Sequence, residues 1–468
     1  MKKVFYYLLA AGLIAAGCAK ETPGGGNSVI PGQDFLIDDE LIEVNFTTDG
    51  QSDKSIRLKT AGAHANLRAL LQTEAEWDAI VNIEIDRVYL ASSDIPLLPE
   101  SLYTMEDDHF VIEAGELGAN LDIEFKLTDD FPIGTSYVLP LVIEPESVFV
   151  ETGAQKRVVF TVSHVANKDI ETVLYYEVNN VNPLNAGEVL LEDSSPFFDY
   201  VILFASNINY NSDEDRVYLH QNANCKSLYE QTDTYIQPLR RKGIKVLMSI
   251  LGNHDASGVA QLSNWGCEQF AREVARAVKL YKLDGINLDD EYSNNPDLSN
   301  KWFTNHTAAA GARLAYELKK AMIEEGCEDN IVTIFAYSTL NNLPAVTIDG
   351  VTHNQSEFID QLHANYGSSA TPRGDLTKKN CTYGSYECNN GQYATQTNAQ
   401  NAKNNGYGFI MYFNPDPSQR SGAYYGANGY FAQAARGLYG KGLKPMANWY
   451  KKIDEGVYDP KPYSTYPW

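Results

Sequence analysis

The feature that most constrains this chain is the stretch LDGINLDDEY, residues Leu283 to Tyr292, which has the composition of a short buried strand ending in carboxylates. Side chains of an extended strand alternate between two faces, so one face is apolar until its end and the other is small, polar and acidic. Polar groups buried in phase cost free energy unless each is paired, so the pattern favours the wall of a catalytic pocket over an ordinary core strand. The acidic face carries Gly285, Asn287, Asp289 and Glu291, and the opposite face carries Ile286, Leu288 and Asp290.

Asp289 and Glu291 are spaced for acid–base chemistry, because their Cα atoms would lie roughly 6.5–7 Å apart in a strand. Two carboxylates this close resist joint ionisation, which raises the pKa of one of them. Glu291 lies nearer the strand end and could reach a glycosidic oxygen as a general acid. A solvated acidic strand end or a metal site would use the same residues, so composition alone leaves these interpretations open.

The segment from Leu283 to Glu291 resembles the signature of glycoside hydrolase family 18, an apolar residue followed by D-G-x-[DN]-x-D-x-E, and the continuation DEY is similar to endo-β-N-acetylglucosaminidases of the Endo H group. The resemblance covers most of residues 172–468. It implies hydrolysis of the bond between the two N-acetylglucosamines of the N-glycan core, with high-mannose glycans as the expected substrates. No metal or cofactor is required by that reaction.

The same resemblance implies a role for each catalytic residue. Glu291 protonates the leaving oxygen, and the 2-acetamido oxygen of the substrate attacks its own anomeric carbon. Asp289 and Tyr366 hydrogen-bond the acetamido group. Asn287 and Asp284 are expected to support this arrangement.

Two departures from the family pattern argue against a chitinase of the same fold. Asn287 stands where many chitinases carry the innermost aspartate, so the proton relay behind Asp289 is expected to differ. Phe413 and Asn414 occupy the region where chitinases place a tryptophan. A non-catalytic glycan-binding surface lipoprotein is the remaining alternative, and a mass shift on a glycoprotein would distinguish it from an enzyme.

The charge of the chain narrows the class of partner. Among 468 residues, 61 are Asp or Glu and 37 are Lys or Arg, which gives a formal net charge of -24. Such a chain is a poor candidate for binding nucleic acid or anionic membranes, and it suits a neutral partner such as a sugar. We expect a monomer.

Residues 1–18 predict a lipoprotein signal peptide, with a basic start, an apolar run and an AAGC segment similar to a bacterial lipobox that would place a lipid on Cys18. Residues 19–33 contain three consecutive glycines and two prolines, which is typical of a flexible tether. We therefore expect a lipid anchor in the bacterial outer membrane, with the protein at the cell surface. Of the five other cysteines, Cys381 and Cys388 could pair, or all five could be buried thiols.

Residues 34–166 predict an all-β sandwich, because apolar and polar residues alternate with period two in several runs, such as those around Phe46, Phe125 and Phe160. A helical piece is expected near Ala65 to Glu76. The domain resembles N-terminal β-sandwich modules of Bacteroides-type surface lipoproteins, and a spacer or an accessory glycan contact is its expected role.

Residues 167–468 predict an α/β fold, a (β/α)8 TIM barrel, because eight short apolar runs alternate with helical segments. Helices are expected at 227–242, 263–282, 300–325 and 394–404, and the link 338–357 lacks a clear helix. The eight runs are 173–178, 200–205, 245–251, 285–291, 331–337, 359–366, 382–386 and 408–413.

Chemistry in such a barrel lies at the carboxyl ends of the strands, where this sequence is rich in amides and aromatic rings. Those groups suit a neutral sugar, through hydrogen bonding and stacking. Each residue alone could equally be a turn former or a helix cap. The expected substrate-binding residues are Asn287, Asn253, Glu177, Asn179, Asn207, Asn365, Tyr412 and Asn414.

Overall fold

The computed structural model describes residues 41–417 and 421–465, so the predicted signal peptide, Cys18 and the tether lie outside the described residues. The first part of the described chain is all-β and carries one short helix, α1 (Arg87–Ser92). Its strands are β1 (Ile42–Thr48), β2 (Asp53–Leu58), β3 (Ala63–Leu71), β4 (Ala79–Ile85), β5 (Tyr103–Met105), β6 (His109–Ile112), β7 (Gly118–Phe125), β8 (Ser136–Pro145), β9 (Val150–Thr152) and β10 (Arg157–His164).

These ten strands form two five-stranded sheets, in the orders β5-β7-β3-β1-β9 and β2-β10-β8-β4-β6. Their buried faces enclose one core that includes Phe46, Phe110, Phe125 and Phe160. The expected sandwich is thus present. The helix expected near Ala65 to Glu76 is wrong, because strand β3 runs as far as Leu71 and residues 72–76 are irregular. Buried and more exposed residues alternate along β3, and its pairing with β1 and β7 outweighs the helix propensity of its alanines and leucines.

The second part of the described chain alternates strands and helices. Its strands are β11 (Glu171–Glu177), β12 (Tyr200–Asn211), β13 (Arg216–His220), β14 (Lys245–Leu251), β15 (Gly285–Leu288), β16 (Ile331–Ala336), β17 (Val346–Ile348), β18 (Val351–His353), β19 (Gln361–Ala364), β20 (Thr382–Glu387), β21 (Phe409–Phe413), β22 (Lys452–Asp454) and β23 (Val457–Tyr458). Its helices are α2 (Ala223–Glu230), α3 (Thr232–Tyr235), α4 (Gln237–Arg241), α5 (Asn264–Leu280), α6 (Ala308–Glu324), α7 (Gln396–Asn404), α8 (Ser421–Tyr425) and α9 (Tyr430–Tyr439).

Eight parallel strands form the predicted barrel, in the order β19-β16-β15-β14-β12-β11-β21-β20. A parallel bridge between Leu362 of β19 and Cys381, the residue before β20, joins the two ends of this sheet. Aromatic and aliphatic side chains fill the interior, among them Tyr175, Phe335 and Phe413. Strand β12 continues beyond the barrel and pairs with β13, which makes a hairpin at the mouth.

Two of the expected helices differ from the structure. The segment expected as one helix over 227–242 is divided into α2, α3 and α4, because Gln231 leaves the helical region and Pro238 has no N–H to donate. Helix α6 begins only at Ala308, where the Thr307 side chain accepts from the N–H of Ala310 and caps it. The link 338–357 holds the small hairpin β17–β18 between two short 3-10 helices.

A cluster of charged groups joins the sandwich to the barrel. The Lys168 ammonium lies 2.9 Å from a carboxylate oxygen of Asp199, and both side chains are buried. Arg57 of β2 lies 3.5 Å from the same carboxylate, and Lys59, just after β2, forms an ion pair with Glu171 of β11. The two parts are therefore held together by buried charges as well as by packing.

Two further features of the described chain bear on the expectations. The five described cysteines are all buried and free, so Cys381 and Cys388 are not paired. Within residues 41–417 and 421–465, every helix falls short of the length or the hydropathy that a membrane crossing requires.

Candidate active site

The acidic residues predicted from the motif lie at the carboxyl end of β15, at the mouth of the barrel. The strand itself ends at Leu288, so Asp289 and Glu291 belong to the turn that follows it. Ile286 and Leu288 face the layer between the barrel and its helices. The alternation predicted from the sequence is confirmed for the strand residues.

Asp289 is the more enclosed of the two carboxylates. Asp289 is only 2% exposed, and its Oδ1 has no hydrogen-bond partner among the described residues. Burial, followed by the charges of Glu291 and Asp290, raises the pKa of Asp289 well above its ordinary value. A buried carboxylate with an unused oxygen is costly unless a ligand supplies a donor.

Glu291 lies nearer the solvent and is half-buried. Burial and the negative charge of Asp290 raise the pKa of Glu291 above its ordinary value. A carboxyl group kept protonated at the mouth of a cleft can donate a proton to a leaving group. Burial raises the pKa of the enclosed Asp289 further, so it is the accessible position of Glu291 at the mouth that assigns the acid role to Glu291.

Tyr366 follows β19 and completes the centre. Its ring packs between Phe335 and Phe413, with ring centroids 5.6 and 5.5 Å away. Burial, then the charges of Asp289 and other nearby carboxylates, raise the pKa of Tyr366, so the hydroxyl stays protonated. Among the described residues, nothing hydrogen-bonds this hydroxyl, and it is free to contact a substrate.

Asn287 does not reach the surface, so the expectation that it binds substrate is wrong. The residue is completely buried, its Oδ1 accepts from the Ser249 hydroxyl at 2.9 Å, and its Nδ2 donates to Tyr175 and Thr333. These contacts use its hydrogen-bonding capacity inside the barrel. It supports the strand below Asp289.

Tyr412 and Asp284 are also placed differently from the expectation. Successive side chains of a strand point to opposite faces, so Phe413 points into the barrel and Tyr412 points outward. The Tyr412 ring packs on Phe197 and Phe431 in the layer beneath the helices. Tyr412 therefore cannot contact a substrate at the mouth. Asp284 precedes β15, at the opposite end of the barrel, where it accepts from Arg240 at 3.0 Å.

The other predicted amides and carboxylates do line the mouth, and several form hydrogen bonds with one another. Asn179 accepts from Asn224 at 2.7 Å and lies 3.4 Å from Glu177. Asn253 donates to Asn209 at 3.2 Å, and Asn207 donates to the carbonyl of Gly252 at 3.2 Å. Asn365 is exposed, whereas Asn414 is buried with its Oδ1 unpartnered among the described residues.

Two clefts open at the same end of the barrel as the acidic residues. One of about 220 Å³ lies beside β11 and β21 and includes Glu177, Asn180 and Asn414 in its wall. The other, of about 420 Å³, lies beside β16 and β19 and includes Tyr337, Asn365 and Arg373. A further cleft of about 590 Å³ lies between the sandwich and the barrel and contains none of the predicted site residues.

Part of the strained backbone lies at the same mouth. Among the described residues, four other than glycine have positive φ angles within four positions of the carboxyl end of a barrel strand, and such conformations persist only where the surrounding structure holds them. They are His254 (59°), Tyr292 (59°), Ser338 (49°) and Asn414 (48°).

Several residues that shape the site are not among those predicted from the sequence. Tyr175 and His363 meet inside the barrel at 2.6 Å although 188 positions separate them in the chain. Asp290, on the apolar side of the motif, binds His306. The alternation of the motif singles out Asp290 as the one charged residue on an otherwise apolar face, and this was the sequence signal that could have identified it.

Among the described residues, one cluster of side chains is close enough to share a metal ion, namely Asp107, Asp108 and His109 in the sandwich.

An acid at the mouth with a second carboxylate buried beneath it is the pairing that cleavage of a glycosidic bond uses. The fold and the site therefore define the class of protein: a glycoside hydrolase built on a (β/α)8 barrel.

Comparisons with known proteins give the particular family. Endo-beta-N-acetylglucosaminidase F1 of Elizabethkingia meningoseptica is 37% identical over 339 residues, which cover 71% of this chain and 93% of that protein. The endo-beta-N-acetylglucosaminidase of Flavobacterium sp. (strain SK1022) is 42% identical over 124 residues, 26% of this chain and 39% of that protein. This chain belongs to the endo-β-N-acetylglucosaminidases of glycoside hydrolase family 18, as the motif predicted.

Solved structures agree with this assignment. EndoBT-3987 of Bacteroides thetaiotamicron, with a Man5GlcNAc product, is 34% identical and superimposes with a TM-score of 0.59 over 90% of this chain and 99% of that one. Its complex with a Man9GlcNAc2Asn substrate gives 33% identity, the same TM-score, and 90% and 98% coverage. Residues 38–150 match a family model described as "-like, N-terminal domain".

Proposed function

We propose that this chain hydrolyses the β-1,4 bond between the two N-acetylglucosamines of the N-glycan core, leaving one N-acetylglucosamine on the asparagine, and that high-mannose glycans are its substrates. The observation that carries the proposal is the unequal burial of two neighbouring carboxylates, Asp289 enclosed and Glu291 at the mouth. The relative EndoBT-3987 binds a Man9GlcNAc2Asn substrate and a Man5GlcNAc product, which supports this class of glycan.

The reaction proceeds in two displacements with retention at the anomeric carbon. Glu291 gives its proton to the leaving oxygen while the substrate's own acetamido oxygen attacks the anomeric carbon and forms an oxazolinium ion. Asp289, as a carboxylate, accepts a hydrogen bond from the acetamido N–H and stabilises the positive charge, and Tyr366 donates to the same group. Glu291 then takes a proton from a water molecule, whose oxygen attacks the anomeric carbon and opens the oxazolinium ion. This step returns the site to its starting state.

The walls of the mouth provide the glycan contacts. Amide groups offer both donors and acceptors to hydroxyl groups, and aromatic rings cover sugar faces. We assign Glu177, Asn179, Asn207, Asn253, Asn365 and Asn414 to these walls. The segments 209–222 and 368–379 border the mouth, the first as the β12–β13 hairpin, and we infer that their shapes select among glycan classes.

The decisive experiment uses the chain from residue 19 onward and ribonuclease B, a high-mannose glycoprotein, with Glu291→Gln as the paired variant. Intact masses after incubation should show loss of all but one N-acetylglucosamine with the parent and an unchanged glycoprotein with the variant. No cleavage of this or of a complex-type glycoprotein by the parent would instead indicate a non-catalytic glycan-binding protein. Cleavage of chitin oligosaccharides in preference to the glycoprotein would indicate a chitinase.

We also propose that the protein is a monomer held by a lipid on Cys18 in the outer membrane, facing outward. The support is the sequence pattern of residues 1–18 and the tether that follows. Membrane fractions should contain the parent protein, whereas Cys18→Ser should be released. Digestion of the parent by protease added to intact cells would support the outward orientation, and protection from it would contradict it.

A further inference from the structure

A chain of hydrogen bonds crosses the barrel interior beneath the acidic strand end. The Tyr175 hydroxyl lies 2.6 Å from Nδ1 of His363 and 2.9 Å from Nδ2 of Asn287. Nε2 of His363 lies 2.9 Å from the side-chain oxygen of Gln361. All four residues are buried, and they come from the three strands β11, β15 and β19.

The direction of each bond follows from the backbone carbonyl of Thr333. That carbonyl can only accept, and it lies 3.4 Å from Nδ2 of Asn287, so this end of the amide is the donor. Because Asn287 donates to the Tyr175 oxygen, the single proton of Tyr175 goes to Nδ1 of His363. Nε2 of His363 then carries the ring proton and donates it to Gln361.

The imidazole stays neutral in this position, which is what the bond directions require. Burial lowers the pKa of His363 to about 3. A neutral imidazole has one acceptor and one donor, and the structure uses both.

Asp289 comes two residues after Asn287, whose amide bonds the Tyr175 hydroxyl, so it lies at the strand end above this chain of hydrogen bonds. After burial, the charge of Asp289 is the next cause that raises the pKa of Tyr175. The titratable groups that face Asp289 are Asp290, Glu291 and Tyr292 from its own strand end, Tyr175 from β11, and Tyr366 after β19. Tyr175 is engaged below it, and Asp289 keeps an unpartnered oxygen among the described residues.

We propose that His363 is a positioning residue: by accepting the Tyr175 proton, it keeps that hydroxyl from donating to Asp289, so the free oxygen of Asp289 remains available to the acetamido N–H of the substrate. The inference rests on the proposed function. A carboxylate is a stronger acceptor than an amide or an imidazole, so a Tyr175 hydroxyl released from His363 turns to Asp289. That bond stabilises the carboxylate form and occupies the oxygen that the substrate needs.

The first test compares pH profiles of glycan hydrolysis. The reaction needs Glu291 protonated and Asp289 ionised, so the acid limb of kcat/KM reports the protonation of Asp289. His363→Leu removes the acceptor of the Tyr175 proton. We expect the acid limb to move to lower pH, because the new bond from Tyr175 stabilises the Asp289 carboxylate. We expect kcat to fall about 10-fold to 100-fold, because the substrate must break this charge-assisted hydrogen bond. His363→Asn, which keeps an acceptor near Nδ1, should restore the parent profile.

The double variant Tyr175→Phe with His363→Leu separates positioning from packing. It has no hydroxyl to give to Asp289, so its acid limb should return to the parent pH even if its stability is lower. An unmoved acid limb in His363→Leu would overturn the inference. A shifted limb that persists in the double variant would overturn it as well, because Tyr175 would then not be the mediator.

A second measurement does not depend on activity. In the full chain labelled with 15N-histidine, the His363 signals, assigned by their loss in His363→Asn, should show a neutral ring with the proton on Nε2 from about pH 5 to pH 8, where free histidines titrate. Titration in this range, or a proton on Nδ1, would overturn the proposed bond directions. A parent chain that cleaves no glycoprotein would refute the proposed function while leaving this result intact.

Discussion

Nε2 of His306 lies 2.9 Å from a carboxylate oxygen of Asp290, and this contact anchors the acidic turn that carries Glu291. The Asp290 side chain is 2% exposed and also accepts from the backbone N–H of Thr339 at 3.3 Å. A buried carboxylate that loses a partner bears its desolvation cost alone. The side of the motif opposite to the catalytic residues therefore has a structural role of its own.

His306→Ala should lower the stability of the protein by about 1–3 kcal/mol, the cost of leaving a buried acceptor unsatisfied. Urea unfolding at neutral pH measures this. His64→Ala is a suitable control, because His64 is exposed on β3 and its removal should have little effect. Equal stability of the two variants would show that the Asp290–His306 contact contributes nothing.

Asp290→Asn should move the alkaline limb of the pH–rate profile to lower pH. Glu291 must be protonated to act as the acid, so activity falls as pH rises through its pKa. Burial and the charge of Asp290 raise that pKa, and the substitution removes the second of these causes. The kcat profile on a high-mannose glycopeptide measures the shift, and a limb that moves to higher pH would contradict it.

Asp289→Asn should abolish most activity and yet stabilise the protein at neutral pH. A carboxyl group whose pKa is raised on folding contributes stability below its unfolded pKa, and this contribution is lost as pH rises through the folded pKa. The variant should therefore melt roughly 2–4 °C higher than the parent at pH 7.5, the effect of ~1 kcal/mol in a domain of this size. The difference should vanish near pH 4, about the unfolded pKa of an aspartate.

Asp284→Asn provides the matched contrast at the other end of the same strand. Asp284 binds Arg240 and the N–H of Val246, and the loss of its charge leaves Arg240 buried without a counter-ion. We expect a loss of about 3–5 kcal/mol in stability with the catalytic pH profile unchanged. Stabilisation by this substitution would refute the assignment of Asp284 to a structural ion pair.

Lys168→Met tests whether the sandwich and the barrel depend on their shared charges. Lys168 bonds the Asp199 carboxylate and the carbonyls of Pro196 and Phe197, at 2.7–3.1 Å. Breaking a buried pair costs about 3–5 kcal/mol, whereas Lys226→Met, in an exposed pair with Glu230, should cost about 0–1 kcal/mol. Similar losses in the two variants would mean that the buried charges do not stabilise the junction.

The barrel was predictable because buried parallel strands are short, continuously apolar and separated by helices. The strand 245–251 was predicted with its exact bounds, and the motif placed Asp289 and Glu291 at a strand end. The sequence did not show which side chains of the eighth strand point into the barrel, because β21 is buried on both faces. Tyr412 and Phe413 therefore gave no hint of which one points into the barrel.

The supporting contacts of the site were not predictable for a different reason. Tyr175 and His363 lie on strands that pair with other strands, and only closure of the barrel brings them together. Each looks like an ordinary core residue in its own segment. In the sandwich, the Ala65 to Glu76 stretch has helix-forming residues, and its pairing with two neighbouring strands decided the outcome.

Tyr366→Phe isolates the contribution of one hydroxyl at the centre of the site. The ring would keep its packing between Phe335 and Phe413, so the melting temperature should stay within about 1 °C of the parent, as expected when no buried group is left unpaired. If the hydroxyl donates to the acetamido group as the oxazolinium ion forms, kcat should fall about 10-fold to 100-fold with KM nearly unchanged, because the interaction strengthens in the transition state. A rise in KM with kcat unchanged would instead show that Tyr366 binds the substrate and the transition state equally well.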